Sequence, residues 1–142
     1  VLSVSEVTPQ LCIRINQLLA QLSTSAHTLT VEELTTLCSE NNSNTDIYLL
    51  RLANNELVGM ATLSYCHLIT GTKAWVEDVV VDEKERGKGL ARILLTHLQA
   101  EARNHGVDSL NLTSRPSRES ANHLYRSMGF EPRETNVYKM KF

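Results

Sequence analysis

Apolar positions along this chain change their period several times, and each change marks an element. Leu11, Ile15, Leu18, Leu19 and Leu22 recur at helical spacing, and Thr8-Pro9 ahead of them offers a hydroxyl cap followed by proline at the first helical position. Thr30 and Glu33 in "TVEE" have the capping-box spacing, which predicts a short second helix to about Cys38. The polar run "SENNSNTD" then reads as a loop. Beyond it the period drops to that of strands. Residues 47–53 and 56–68 flank an Asn54-Asn55 turn and predict a hairpin, with Gly59 marking a bulge. Residues 74–82 predict a third strand, β-branched and central.

"GLARILLTHLQAEARNHG" is the strongest helical pattern, with Leu90, Ile93, Leu94, Leu98 and Glu101 along one side, Leu95 and Ala102 extending its apolar part, and Gly106 as the stop. "SLNLT" predicts a short strand and "SRESANHLYRSMG" a helix closed by Gly129. Residues 1–7 and 136–142 alternate loosely, so both are expected as edge strands. The strand–helix–strand passage from Ala74 to Thr113 implies a parallel pair, and the hairpins before it imply antiparallel neighbours. The expected fold class is therefore α/β, more closely α+β with a mixed sheet flanked by helices, built as one domain over 1–142.

Composition narrows the function without naming it. Apolar residues make up 42% of the chain and charged residues 21%, as in ordinary globular proteins. The net charge of -2 offers no cationic excess for nucleic acid. No apolar run approaches the roughly 20 residues that a membrane span needs. No basic-then-apolar leader opens the sequence, so the expected location is the cytoplasm. Cys12, Cys38 and Cys66 are too scattered for a disulfide framework or a zinc site, and no metal is expected.

The candidate chemistry begins at "VVVDEKERGKGLARILL", where a branched apolar strand meets charge, two glycines and a helix. A helix N-terminus leaves about four backbone N–H groups unpaired and carries roughly half a positive charge, which suits phosphate. Gly87 and Gly89 allow close approach, and Arg86 and Lys88 add cationic donors. No Walker string is present. A dinucleotide fingerprint fails because Arg92 stands where a third small residue must pack.

"RGKGLA" after that strand, followed some thirty residues later by "ANHLYRSMGF", resembles the GNAT superfamily of N-acetyltransferases. The resemblance implies acetyl-CoA as co-substrate and a primary amine of an acceptor as the group acetylated in a ternary complex. It implies that Arg86, Gly87, Lys88, Gly89, Leu90 and Ala91 wrap the pyrophosphate. It implies that Val79, Val80 and Val81 present the strand along which the pantetheine arm lies, that Asn122 binds that arm, and that Tyr125 lies near the sulfur. Tyr125 would then protonate the departing thiolate.

Glu77 and Asp78 precede the apolar run. Adjacent strand residues point to opposite faces, so at most one of these carboxylates is expected in the cleft, and Glu77 shares its parity with Val79 and Val81. Glu77 is the candidate base. The acid pair also resembles the branch of the superfamily that acetylates glucosamine 6-phosphate, which implies contact with the amine substrate. Residues 113–120 are unlike that branch, so an aminosugar phosphate is one alternative among several. Arg115 and Arg118 are candidates for binding phosphate or an anionic substrate, or are plain loop cations. Trp75 reads as a core or interface anchor, and Leu124, Met128 and Phe130 as core. His97 and His105 fit surface or helix-dipole roles. A silent acyl-CoA sensor and a ligand-free interaction domain are the rival readings. The resemblance also allows a homodimer through the last strands.

Overall fold

The computed structural model describes residues 1–142. The chain divides into two compact units, Val1–Leu112 and Thr113–Phe142. In the first, the cap signals act where the sequence puts them. Thr8 Oγ1 accepts a hydrogen bond from the Leu11 N–H at 3.1 Å and opens α1 (Pro9–Leu22). Thr30 Oγ1 accepts from Glu33 N–H at 3.1 Å while the Glu33 carboxylate accepts from Thr30 N–H at 2.8 Å, and this reciprocal cap starts α2 (Val31–Leu37). Each cap satisfies backbone donors that a helix start otherwise leaves open, worth about 1 kcal/mol.

The sheet has the order β1 (Thr45–Arg51), β2 (Leu57–Leu68), β3 (Gly71–Val81), β4 (Ser109–Asn111). The first two pairings are antiparallel and the third is parallel, with α3 (Leu90–Asn104) in the crossover. The mixed sheet is thus as expected. Parallel pairing is short: it joins only Lys73–Trp75 to Ser109–Asn111. Beyond Trp75, β3 is laddered to β2 alone.

The two helical layers cover opposite faces. Leu11, Ile15 and Leu18 of α1 meet Leu34, Ile47, Met60 and Val80 in one buried cluster. Ile15 and Leu18 have no exposed surface, so truncating either to alanine would cost about 3 kcal/mol. On the other face α3 packs through Leu94, Leu95, Leu98 and Ala102. There the His97 ring meets Tyr48 edge-on at 5.5 Å, and the His105 ring lies 4.8 Å from Tyr65. The two histidines are exposed, as expected, but each also covers a tyrosine.

Several expectations are corrected. The first residues form no edge strand: Val4–Glu6 is a turn of 3-10 helix, tightened by Glu6 reaching back to the Ser3 N–H at 3.0 Å. Only Leu2 joins the sheet region, through one bond from its N–H to the Ile47 carbonyl at 2.8 Å. A loose alternation loses here to a local cap. The buried side of α3 is rotated by about one residue, since Ile93 is exposed and Leu95 and Ala102 are buried. In the second unit α4 (Glu119–Ser127) ends before Gly129, whose φ of 93° accommodates the reversal. No ladder reaches residues 136–142, so the expected last strand does not form, and Val137, Tyr138, Met140 and Phe142 are exposed. A strand needs a partner, and alternation alone supplies none. Leu124, Met128 and Phe130 are half-buried rather than core.

No helix is long and apolar enough to cross a membrane.

Candidate active site

The end of β3 leads through Asp82 and a 3-10 turn at Glu83–Glu85 into the glycine segment. Gly87 and Gly89 have φ of 79° and 75°, a left-handed backbone that side chains resist. A Cβ at either would meet nothing within 4 Å, so the turn faces open space. Gly89 is the N-cap of α3 and brings no side chain to its own helix. The first amides of α3 therefore point outward, with the positive end of the helix dipole behind them. Leu90 and Ala91 are half-buried at this start, while Arg86 and Lys88 are exposed. The Lys88 ammonium donates to the Glu85 carboxylate at 2.6 Å, so of the two cations expected at this turn it is already paired.

Glu77 and Asp78 form the second feature. Register runs from Met60 opposite Val80 to Thr62 opposite Glu77, so Asp78 and Val79 together face the single residue Ala61. This is a β-bulge, and Asp78 takes its left-handed position with φ 53°. Simple alternation predicts that only one carboxylate faces the cleft. The bulge overturns that, because both Glu77 and Asp78 line one cavity. It also breaks the parity expected between Glu77 and Val79, and it brings Val80 into the core beside α1. Asp78 is held by the Thr62 hydroxyl, which donates to its Oδ2 at 3.2 Å. Partial desolvation, then the neighbouring Asp78 charge, raise the Glu77 carboxyl above the usual range.

The cavity has a volume of about 500 Å³, within the range of small-molecule sites. Its walls come from α1, α2 and the segment between them, and from β1, β2 and β3. That segment is fastened to α1 by Asn16, whose amide donates to the Leu29 carbonyl at 2.9 Å and accepts from the Leu29 N–H at 2.8 Å. His27 is held by both Glu33 carboxylate oxygens at 3.0 Å.

A third group has little sequence signal. Arg14 reaches from α1 to Asp82 at 2.5 Å and to the Leu57 carbonyl at 2.9 and 3.0 Å. Gln21 donates to Asp82 at 3.4 Å and accepts from the Glu83 N–H at 2.9 Å. Asp82 is only 5% exposed, and the Arg14 hydrogen bond holds its carboxyl below the usual range. Together these bonds fix the strand end from which the glycine turn departs. The available hint is that Arg14 is the single charge within an apolar helix.

Within the second unit, Asn122 donates to the carbonyls of Arg115 and Arg118, both at 2.9 Å. Its amide hydrogens thus shape the loop entering α4, and its Oδ1 is the atom left to accept. The Tyr125 ring stands edge-on to Phe130 at 6.0 Å. Burial raises the Tyr125 phenol, which keeps it a proton donor at neutral pH.

Element order and the glycine turn place the fold in the GNAT class, as the sequence resemblance implies. The acetyltransferase (GNAT) family model matches residues 15–130, and the chain belongs to that family. A streptothricin acetyltransferase of Streptomyces lavendulae is 36% identical over 83 residues, covering 55% of this chain and 40% of that protein. An aminoglycoside N(6')-acetyltransferase type 1 of Stenotrophomonas maltophilia is 32% identical over 97 residues, covering 65% of this chain and 63% of that protein. The chain thus spans about two fifths and three fifths of these relatives' lengths. Among solved structures, an aminoglycoside acetyltransferase from an uncultured soil metagenomic sample, in complex with sisomicin, has a TM-score of 0.83 at 19% identity, covering 99% of this chain and 92% of that one. A putative acetyltransferase from Agrobacterium tumefaciens str. C58 has a TM-score of 0.79 at 22% identity, covering 94% and 96%. These likenesses support the fold.

Proposed function

We propose that this chain transfers the acetyl group of acetyl-CoA to a primary amine held in the cavity before Glu77 and Asp78. One observation carries the reading: an open, left-handed glycine turn caps the longest helix directly after a strand whose acids line a substrate-sized cavity. The turn suits a pyrophosphate, since its outward amides are donors and its missing Cβ atoms leave room. Arg86 to Ala91 hold that group in this reading. Val79, Val80 and Val81 lie on the part of β3 without a parallel partner, where backbone groups are available to an extended arm.

Acetyl-CoA supplies an activated acyl carbon. An acceptor amine with a pKa of about 10.4 is neutral in roughly one molecule in a few thousand at pH 7, so it must lose a proton. Glu77 takes that proton, directly or through water; its raised carboxyl makes it a better base than an ordinary glutamate. Asp78, fixed by Thr62, attracts the incoming ammonium. On the family pattern Tyr125 gives its proton to the leaving sulfur and Asn122 binds the pantetheine arm. Arg115 and Arg118 remain candidates for an anionic group.

The test is thiol release from acetyl-CoA in the presence of a panel of amines, beside equilibrium dialysis with CoA. Turnover on at least one amine is expected. Tight CoA binding with no turnover on any amine would instead support a sensor.

A further inference from the structure

We propose that the acceptor is a small ammonium carried on an apolar body, of the alkylamine or arylalkylamine kind, rather than a sugar phosphate, a polyamino sugar or a lysine of a peptide. The inference rests on the acetyltransferase reading above and names its acceptor class. The surface of the cavity is mainly apolar, offered by the half-buried Leu19, Leu22, Ala26, Leu29 and Leu37, while Ser23, Thr45, Thr62 and Ser64 add four hydroxyls. No lysine or arginine lines it. Its one imidazole, His27, is already engaged by Glu33. Two carboxylates, Glu77 and Asp78, stand on the same side because of the bulge.

This distribution selects by charge and by surface. A phosphate in the cavity would meet two carboxylates and no cation, an arrangement that opposes binding. A polyhydroxylated body would find the hydroxyls of Ser23, Thr45, Thr62 and Ser64 but would set its remaining hydroxyls against leucine and alanine, leaving donors and acceptors unpaired. One ammonium is matched by Glu77 and Asp78, and the cavity, about 500 Å³ in all, accepts an apolar body against Leu19, Leu22, Leu29 and Leu37. A lysine side chain would bring the charge but fill little of that space.

Calorimetric titration of the full chain with straight-chain amines from butylamine to octylamine tests this without requiring turnover. The Kd is expected to fall about fourfold for each added methylene. Glucosamine 6-phosphate, kanamycin and a short lysine peptide are expected to bind at least tenfold more weakly than octylamine. A Kd independent of chain length, or tighter binding of any of those three, overturns the proposal. Leu22→Trp, which fills the cavity from the half-buried end of α1, should weaken octylamine at least tenfold; wild-type affinity in the folded variant also counts against it. Thiol release is measured separately. Alkylamines that bind with the expected slope but are never acetylated defeat the catalytic reading and leave the cavity assignment standing. Acetylation of a sugar with no alkylamine binding does the reverse.

Discussion

The Arg14 guanidinium and the Asp82 carboxylate tie the first long helix to the strand end that launches the glycine turn. Asp82 also accepts from the Lys84 N–H at 3.1 Å, so one buried side chain caps the turn and anchors it. Positioning of the turn therefore depends on residues far away in sequence.

Asp82→Asn should lower stability by about 2 kcal/mol, because it weakens a charge-assisted bond at a buried position while Arg14 keeps some solvent. The sign of the pH dependence follows from the lowered carboxyl. Its contribution is full above the unfolded pKa and is lost as pH falls through the folded one. Urea melts of wild type and variant at several pH values should therefore converge in acid. A constant gap across pH would remove Asp82 as the cause.

Gly89→Asp should separate binding from folding. The new carboxylate can cap α3, offsetting part of the strain at φ 75°. It also occupies the amides assigned to pyrophosphate and repels it. Dialysis should show the Kd for acetyl-CoA rising at least tenfold while the melting temperature moves by only a few degrees. Unchanged affinity would dismiss the turn as the phosphate site.

Tyr125→Phe should lower kcat by about a hundredfold or more and leave the acetyl-CoA Kd near wild type. Stopped-flow turnover with dialysis checks both numbers. A wild-type kcat would place the proton donor elsewhere.

Glu77→Gln addresses the base. The raised Glu77 carboxyl must be ionised to accept a proton, so kcat/KM should climb with pH through a value above the ordinary glutamate range. The variant should lose that low-pH limb and fall well below wild type in its plateau. An unaltered limb would eliminate Glu77 from proton transfer.

Much of the fold is legible in the sequence because local chemistry agrees with it. Thr8-Pro9, the Thr30–Glu33 box and Gly89 mark helix ends where they occur. The glycine turn is equally readable, since φ above zero calls for glycine. The cavity is not. Its wall gathers Leu19, Leu29, Leu37 and Thr62 from two helices, the segment between them and a strand, and such residues carry no label for the space between them. The terminal strands fail for a related reason: alternation records what a strand could bury, and pairing decides whether it exists. Likewise the bulge leaves only the two adjacent acids as a trace, because aspartate tolerates the left-handed region without requiring it.

The extra residue at Asp78 makes the length of β3 a constraint in its own right. Deleting any one residue between Val76 and Val80 would restore regular pleating across the strand. With Val80 still opposite Met60, loss of Val79 would turn Asp78 to the Ala61 side of the sheet, and loss of Glu77 or Asp78 would leave a single carboxylate at the cavity. Frame-preserving deletions in this short stretch should thus be rarer in viable variants than substitutions at the same sites, because each leaves the cavity with one carboxylate instead of two.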